Sequence, residues 1–487
     1  MRNLIYLLFL VLYSILFWQE GLGINLIIFS LLSLGFLRLE SKQTFRKSES
    51  LVLLSLILAS VSLLLYHSTL SIIVFFLAFS TYLSFLQLGS FSVLEAFVNS
   101  FISFFSLRGP LLPDPLLKKA TPSKAFLYMR IAILPLLIFF VFFLLFKEGN
   151  QIFGQWSDAA FGSFFSYLDR LDMTYLFFLL LGLLLLRWIF KDKRIRFLTL
   201  SESNFISRKS KKKSFGSFTN LSLKREYQSA FLLFSMLNLL LFIVNFIDIK
   251  WVWFQFYVPE SFSLKDFVHE GVGYLIFSLV LSAGLIFYYF RANLNFYPKN
   301  GGLRFLAQIW VLQNAVLALS VARRTFYYIG FHGLADRRIA VLVFIAIILF
   351  ALGLLVYKLS TKRNNSYVLK QSSGFTLAFL AALSIVNWDQ QVAVYNLNHG
   401  QANEIDVAHY LALSPRVYPT LYANLERIEY QIERHLENEV RWVYIDSIEE
   451  FKTRLDTKKE QFLLTERRQS WRSWNYADAQ AIRELKL

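Results

Sequence analysis

Long apolar runs alternate with short polar segments from the start of the chain to about residue 390. A run of about 20 apolar residues is long enough to cross the hydrocarbon core of a bilayer as a helix. The pattern therefore predicts an all-α polytopic membrane protein with about eleven transmembrane helices, followed by a small helical extramembrane domain. The predicted spans are 4–18, 22–38, 51–66, 70–88, 125–146, 174–190, 228–248, 271–290, 305–322, 338–358 and 373–390.

The run at 89–107 has a different pattern. Glu95 and Asn99 share one helical face, whereas the opposite face is rich in phenylalanine. We predict that this segment is interfacial or re-entrant. Counting it as a span would place the basic segments 38–47 and 187–225 on opposite sides of the membrane, although basic loops tend to share one side.

The same pattern divides the chain into four parts. Residues 1–107 form short helical hairpins and the interfacial segment, 108–124 is a proline-rich connector, 125–390 is the main transmembrane domain, and 391–487 is a soluble helical domain. Four prolines forbid a continuous helix in the connector. Within the third part, 191–225 is rich in lysine and serine and is predicted to be a mobile cytoplasmic loop lying against anionic lipid.

The last part has helical periodicity. Apolar residues at intervals of three or four predict a first helix, namely Leu421, Leu425, Ile428, Ile432 and Leu436. Ser447 and Glu450 form a capping box for a second helix, whose apolar face is Ile448, Phe451, Leu455 and Phe462. A third, short helix is marked by Ala479, Ile482 and Leu485.

Composition and charge agree with a membrane chain. Hydrophobic residues make up 56% of the sequence, 52 residues are phenylalanine, and the mean hydropathy is +0.48. The net charge of +17 could indicate nucleic acid, but the basic residues lie mostly in short loops. With the N-terminus inside, the inside loops hold 28 lysines and arginines and the short outside loops hold 8. This bias predicts anionic lipid head groups as the partner, no nucleic acid, and an extracytoplasmic C-terminal domain.

Motifs for catalysis and metal binding are missing. The chain has no cysteine, which excludes disulfides, thiolate nucleophiles and iron–sulfur sites. The six histidines, at 67, 269, 332, 399, 409 and 435, are never three or four residues apart, as metal sites on helices require. No phosphate-binding glycine loop or nucleophile elbow is present. We therefore expect no metal and no cofactor, and a non-enzymatic protein rather than an enzyme.

The segment from 308 to 339 carries the most chemistry. Gln313, Ser320 and Arg324 stand at i, i+7 and i+11, so they share one helical face that points away from lipid. Arginines then flank a turn rich in glycine and aromatic residues. The candidate site comprises Arg323, Arg324, Arg337, Arg338, Gln313, Ser320, Tyr327 and Asp406. Two interpretations stay open: a hairpin anchored at the interface by arginine and tyrosine, or a cationic site for an anionic head group, a ligand or a docked acidic segment.

Asparagines in the seventh predicted span offer a partner for that face. Asn238 and Asn245 lie at i and i+7 and could face Gln313 across a helix interface. Such hydrogen bonds either hold helices together or line a transport route.

Three segments, 261–275, 320–339 and 385–421, carry a recognisable combination of residues. An Arg-Tyr-Gly-Leu-Thr-Arg pattern falls on Arg324, Tyr327, Gly333, Leu334 and Arg338, with Ala335 in place of threonine, and a later pattern falls on Asn396, Asp406, Tyr410, Leu411, Leu413 and Ser414. These features resemble a bacterial multi-pass membrane family catalogued only as a domain of unknown function. The resemblance implies the bacterial cytoplasmic (inner) membrane and supplies no activity.

These observations predict a non-enzymatic membrane scaffold or sensor. Its outer helical domain is expected to contact a protein partner or the membrane-embedded core. The first helices of that domain are expected to dock on the arginine-rich turn, with Asp406 or Glu404 within pairing distance of Arg324 or Arg338. The alternatives are a transporter or channel for a small or anionic solute, and a membrane enzyme acting on a lipid-linked substrate.

Overall fold

A computed structural model describes the chain over residues 2–41, 45–90, 92–105, 173–190, 196–206, 219–254, 279–290, 293–399, 406–437, 445 and 447–486. Within these ranges the regular structure is helical, and the β-structure is a single isolated bridge between Phe205 and Arg363. The predicted connector 108–124 and the predicted span 125–146 lie outside the described residues.

We number the described helices in chain order. They are α1 (Arg2–Phe17), α2 (Ile24–Glu40), α3 (Lys47–Leu65), α4 (Thr69–Leu88), α5 (Val93–Phe105), α6 (Met173–Ile189), α7 (Thr219–Asp248), α8 (Leu279–Tyr289), α9 (Gly301–His332), α10 (Asp336–Thr361), α11 (Asn365–Ser384), α12 (Trp388–Asn398), α13 (Val407–Tyr410), α14 (Tyr418–Tyr422), α15 (Leu425–Glu437), α16 (Ile448–Arg468) and α17 (Tyr476–Lys486). A π-helical segment, Ile249–Phe254, continues α7.

Five of these helices are long and apolar enough to cross a membrane: α3, α4, α7 with its π-helical continuation, α9 and α10. A sixth span results if α11 and α12, which are bent by 63° at the break between them, are counted together. The all-helical class and the membrane character are confirmed. The count of eleven stays a prediction, because α1, α5, α6 and α8 are shorter apolar helices.

The structure adds detail to the predictions around α5. The helix has 13 residues, fewer than the about 20 that a span requires. Its polar residue Asn99 is fully buried; the side-chain amide donates to the Leu198 carbonyl oxygen at 2.8 Å and accepts from the Phe197 and Leu198 amides. The polar face of α5 thus packs on protein, because buried backbone groups need partners. Residues 196–206, expected to belong to a mobile loop, make these specific contacts.

The chain forms two compact units. Unit 1 contains residues 1–42, 100–195 and 471–473. Within it Tyr13 of α1 stacks on Phe178 of α6, with ring centroids 4.6 Å apart. A Cβ atom at Gly182 would lie 2.5 Å from the Tyr13 ring, so only glycine lets these helices approach so closely.

Unit 2 contains residues 43–99, 196–470 and 474–487, and its connections gather at two ends. At one end Ser62, near the end of α3, donates to the carbonyl oxygen of Ser384, the last residue of α11. The tail helices lie at this end. At the other end Arg46, just before α3, donates to the carbonyl oxygen of Gly89, just after α4, at 2.6 Å. Arg46 and Arg196, which both donate to carbonyl oxygens at the end of α4, therefore lie at the end of unit 2 opposite to the tail.

The tail helices bury many of the residues that the sequence pattern predicts, but α17 buries Ala477 and Ala481, whereas the predicted Ala479, Ile482 and Leu485 are half-buried. Leu421, Ile428 and Ile432 are at most 2% exposed, and Phe451 and Leu455 of α16 are fully buried with them. The Ser447 hydroxyl accepts from the Glu450 amide at 3.2 Å and so caps α16. The same core includes Leu334 and Ile339, which belong to the turn between α9 and α10 and to α10 itself.

Arg416 joins the tail to the turn between α3 and α4. Its Nε and Nη2 donate to the two carboxylate oxygens of Asp478 at 2.7 and 3.1 Å. Its Nη1 donates to the His67 carbonyl oxygen at 2.9 Å, and Nη2 lies 2.6 Å from His67 Nδ1. Glu466 of α16 borders this cluster. The pKa of the Glu466 carboxyl is raised to about 7, mainly by burial and also by the negative charge of Asp478, while Arg416 opposes the change.

We predict that the tail is less stable above neutral pH because of Glu466. The unfolded carboxyl loses its proton near pH 4.5, whereas the folded carboxyl keeps its proton up to about pH 7. The folded state therefore binds more protons in this window, and the stabilising contribution is complete below pH 4.5 and lost as the pH rises through 7. Hydrogen exchange of α16 and α17 amides, corrected for intrinsic rates, should show lower protection at pH 8 than at pH 5.5.

The variant Glu466→Gln should remove most of that pH difference. Glu460→Gln, which changes an exposed carboxylate on the same helix, is the matched control and should keep it. Equal pH dependence in the wild type and in Glu466→Gln would contradict the prediction.

Candidate functional site

A line of polar contacts runs between α7 and α9. The Asn238 amide nitrogen donates to the Leu306 carbonyl oxygen, and the Asn245 amide nitrogen donates to the Gln313 carbonyl oxygen, both at 3.0 Å. Both pairs are 68 residues apart in sequence, so the partners advance together and the two helices run parallel. We call this interface the polar seam. The expected contact between the asparagines and Gln313 is present, with Gln313 Nε2 also 3.4 Å from Asn238 Oδ1.

The π-helical segment shifts the register of the seam by one residue. The indole of Trp253 donates to the Ser320 hydroxyl at 3.0 Å, and this pair is 67 residues apart rather than 68. A π-helical turn accommodates one extra residue, which explains why Trp253 rather than Val252 meets Ser320. Ser320 is fully buried by this contact.

An ion pair lies at the end of α7. Arg324 Nη2 is 2.5 Å from Asp248 Oδ1, and the two side chains are only 11% and 9% exposed. We expected a tail carboxylate to pair with Arg324 or Arg338, and for Arg324 the structure provides Asp248 of a neighbouring helix instead. Removing one partner of a buried pair leaves an uncompensated charge, at a cost of about 3–5 kcal/mol. Gln313, Ser320 and Arg324 thus all use their shared face to bind α7 and its continuation.

The turn after α9 is held by a residue of the tail. The Leu334 amide donates to Asn396 Oδ1 at 2.6 Å, and Asn396 Nδ2 donates to the Leu334 carbonyl oxygen at 2.9 Å. One side chain of α12 therefore satisfies both backbone groups of Leu334. Gly333 has φ +79°, and a Cβ atom there would lie 2.5 Å from Asn396 Oδ1, so the position requires glycine for two reasons.

Arg338 closes the same turn from α10. Its Nη1 donates to the carbonyl oxygens of His332, at 2.8 Å, and Gly333, and its guanidinium lies 4.5 Å from the centroid of the Tyr328 ring. A cation at these carbonyls is favourable because the C-terminal end of a helix carries partial negative charge. Asp406 adds a favourable electrostatic interaction with Arg338. We call Gly333, Leu334, Arg338 and Asn396 the clamped turn.

The remaining predicted site residues lie elsewhere. Arg323 is exposed and contacts Tyr327 one helical turn later, with Nη2 3.0 Å from the tyrosine hydroxyl. Arg337 is exposed. Asp406 accepts the His409 amide at 3.3 Å and caps α13. Glu404, the other expected docking carboxylate, lies outside the described residues.

Sequence reasoning missed some partners although signals were available. Asp248 and Arg324 lie near the C-terminal ends of two predicted spans. One span of opposite direction lies between them in the sequence, so both ends are expected on the same side of a membrane. Lys358 was assigned to the end of a span, but it is 1% exposed and donates to the Phe290 carbonyl oxygen just after α8, at 2.9 Å. No sequence signal placed the Asn396 amide on Leu334.

The described residues hold no group of three or more His, Cys, Asp or Glu side chains suited to a metal ion. Most of the polar groups of the seam and the clamped turn instead bind one another or the backbone. This arrangement positions helices and holds the tail; it provides no nucleophile next to a base.

Comparison with known proteins identifies a family. A family model described as "Domain of unknown function (DUF4153)" matches residues 4–424. The matched range includes the polar seam and the clamped turn, with α12 to α14 of the tail. No curated protein and no solved structure matches the chain. Because the match covers nearly the whole chain, the protein belongs to this family of unknown function.

Proposed function

We propose that the protein is a non-enzymatic scaffold or sensor of the bacterial cytoplasmic membrane, whose C-terminal helices are docked on the clamped turn and contact a protein partner. The observation that carries this proposal is the double hydrogen bond from Asn396 to Leu334. Because Asn396 binds both the amide and the carbonyl of Leu334, the two hydrogen bonds fix the orientation of α12 on the turn as well as its distance from the turn.

Helix α9 connects the clamped turn to the polar seam. It runs without a break from Gly301 to His332, and it carries the seam residues Gln313 and Ser320 as well as Arg324. A displacement of the tail would act on Leu334 and through this helix on α7. The geometry therefore suits a protein that transmits the state of an outer domain to the membrane.

We expect Asn396→Ala to loosen the tail. The change leaves the amide and carbonyl of Leu334 without their side-chain partner, which costs about 1–3 kcal/mol per unsatisfied buried group. Hydrogen exchange should then accelerate in α12 and α13. Gln391→Ala removes an exposed amide from the same helix and is the matched control. Gly333→Ala should have a similar effect, because its Cβ atom would meet Asn396. Unchanged exchange in both turn variants would refute the docking proposal.

We expect the tail to lie outside the cytoplasm. The excess of basic residues in the inside loops supports this orientation, and so does the location of the tail at the end of unit 2 opposite to Arg46 and Arg196. Protease added to cells whose outer membrane alone is opened should cleave the tail and spare the loop around Lys212. Cleavage of that loop while the tail stays protected would show that the orientation is the opposite of the one expected.

A second candidate function, passage of a small cation, is favoured by one observation. Three oxygen atoms of the polar seam, Asn245 Oδ1, Asp248 Oδ2 and Gln313 Oε1, are buried without a hydrogen-bond donor among the described residues. Carboxylate and amide oxygens are suitable ligands for hard cations. They favour a cation over the anionic solute considered from the sequence.

Transport measurements separate the two candidates. Proteoliposomes should take up no more labelled Na⁺ or K⁺ than empty liposomes if the protein is a scaffold or sensor. Uptake that falls in Gln313→Leu would establish the second candidate. Gln308→Leu, a half-buried position on the same helix whose side chain contacts Ser360 rather than the seam, should then leave uptake unchanged.

A further inference from the structure

A polar cavity lies at the tail end of unit 2. Its volume is about 450 Å³, within the range of about 300–1,000 Å³ typical of small-molecule sites. The walls come from the end of α3, the start of α12, the segment around α14, and α17. Its polar lining includes Tyr66, Asn387, Gln390, Thr420, Gln480 and Glu484. The cavity is separate from the clamped turn, although α12 contributes to both.

The charge of the cavity argues against an anionic ligand. Arg416 is part of its lining, but the guanidinium makes a bidentate contact with Asp478, as well as contacts with His67. A neighbouring carboxylate balances its positive charge. Glu484 contributes a negative charge to the lining, and its carboxylate accepts from Gln480 Nε2 at 2.8 Å. A phosphate or carboxylate ligand would meet this negative charge without a free counter-charge from Arg416.

The other polar groups suit hydroxyl groups. A hydroxyl both donates and accepts, and the side-chain amides of Asn387, Gln390 and Gln480 carry both functions, as does Thr420. Gln390 and Thr420 bind each other at 2.9 Å and Asn387 Oδ1 accepts from the Gln390 backbone amide, but each side-chain amide has a second N–H and a second acceptor site for a ligand. A carboxylate such as Glu484 accepts from hydroxyls. The tyrosine rings of Tyr66 and Tyr476 give the same cavity aromatic surface, on which the C–H faces of a ring can pack.

The cavity also lies where a membrane span ends. Leu65 is the last residue of α3, one of the candidate spans, and it belongs to the lining together with Tyr66. A head group at the membrane surface can therefore reach the cavity as readily as a free solute.

We propose that this cavity binds a neutral polyhydroxylated group, the chemistry of a sugar, presented by a free saccharide or by the head group of a membrane glycolipid. This site goes beyond the proposed docking function and does not depend on it.

The test uses the full chain in lipid nanodiscs or in a polyoxyethylene detergent, because detergents with sugar head groups would compete for the cavity. Glucose, maltose and inorganic phosphate are the soluble probes, and saturation-transfer NMR measures their binding. In a second arm, nanodiscs with and without a glucosyl diacylglycerol are compared by lipid retention in native mass spectrometry. Binding of the free sugars assigns a saccharide, and retention of the glycolipid without free-sugar binding assigns the head group.

Gln390→Leu and Gln480→Leu should each weaken binding by about threefold to tenfold, since each removes one or two hydrogen bonds to the ligand. Gln461→Leu, an exposed glutamine of α16, is the matched control and should not change binding. Thr420→Val provides a further variant if either leucine variant has an altered unfolding temperature. The proposal is overturned if no sugar or glycolipid binds, if phosphate binds more tightly than both, or if the lining variants bind as well as the control.

Discussion

Three buried asparagines of unit 2 bind the backbone of a neighbouring element, and the arrangement of these elements depends on the contacts. In a bilayer an unpaired backbone or amide group costs several kcal/mol, so a side chain that reaches a fixed partner stabilises one arrangement. Asn238 and Asn245 reach carbonyl oxygens of α9, and Asn396 reaches both groups of Leu334. Each contact fixes the register of two elements, whereas apolar packing alone tolerates sliding.

The constraint also explains the distribution of charge. Arg324 and Arg338 lie in the same short segment but have different tasks. Arg324 is buried and paired with Asp248, and Arg338 is bound to carbonyl oxygens at the end of α9 and stacked on Tyr328. The clustering of arginines does not make a single cationic surface. It combines a helix-to-helix ion pair with a helix cap, while Arg323 and Arg337 remain at the surface.

Sequence periodicity predicted which residues share a helix face better than it predicted which residues they contact. The spacing of Gln313, Ser320 and Arg324 identified a shared face correctly, because helical geometry alone determines which residues of one helix point together. The partner of Arg324 could not be read in the same way, since it depends on which spans are adjacent. Periodicity likewise identified the buried apolar residues of α15 and α16, but not those of α17. Gly333 shows what periodicity cannot predict. Glycine is required there because φ is positive and because a Cβ atom would collide with Asn396, 63 positions later in the chain.

Helix α12 brings the two sites of the tail into one rigid element. Gln390 lines the polar cavity, and Asn396, six positions later on the same helix, holds the clamped turn. The helix begins after a 63° bend from α11, so a rotation at the bend would move both side chains together. A ligand changes such a position only if it binds two arrangements of α12 with unequal affinity. Helix α12 has only 11 residues. A movement at Gln390 would therefore be transmitted along this one helix to Asn396, and from Asn396 to Leu334 through two hydrogen bonds. A sensor of the kind proposed would thereby have a physical route from the polar cavity to α9 and the polar seam.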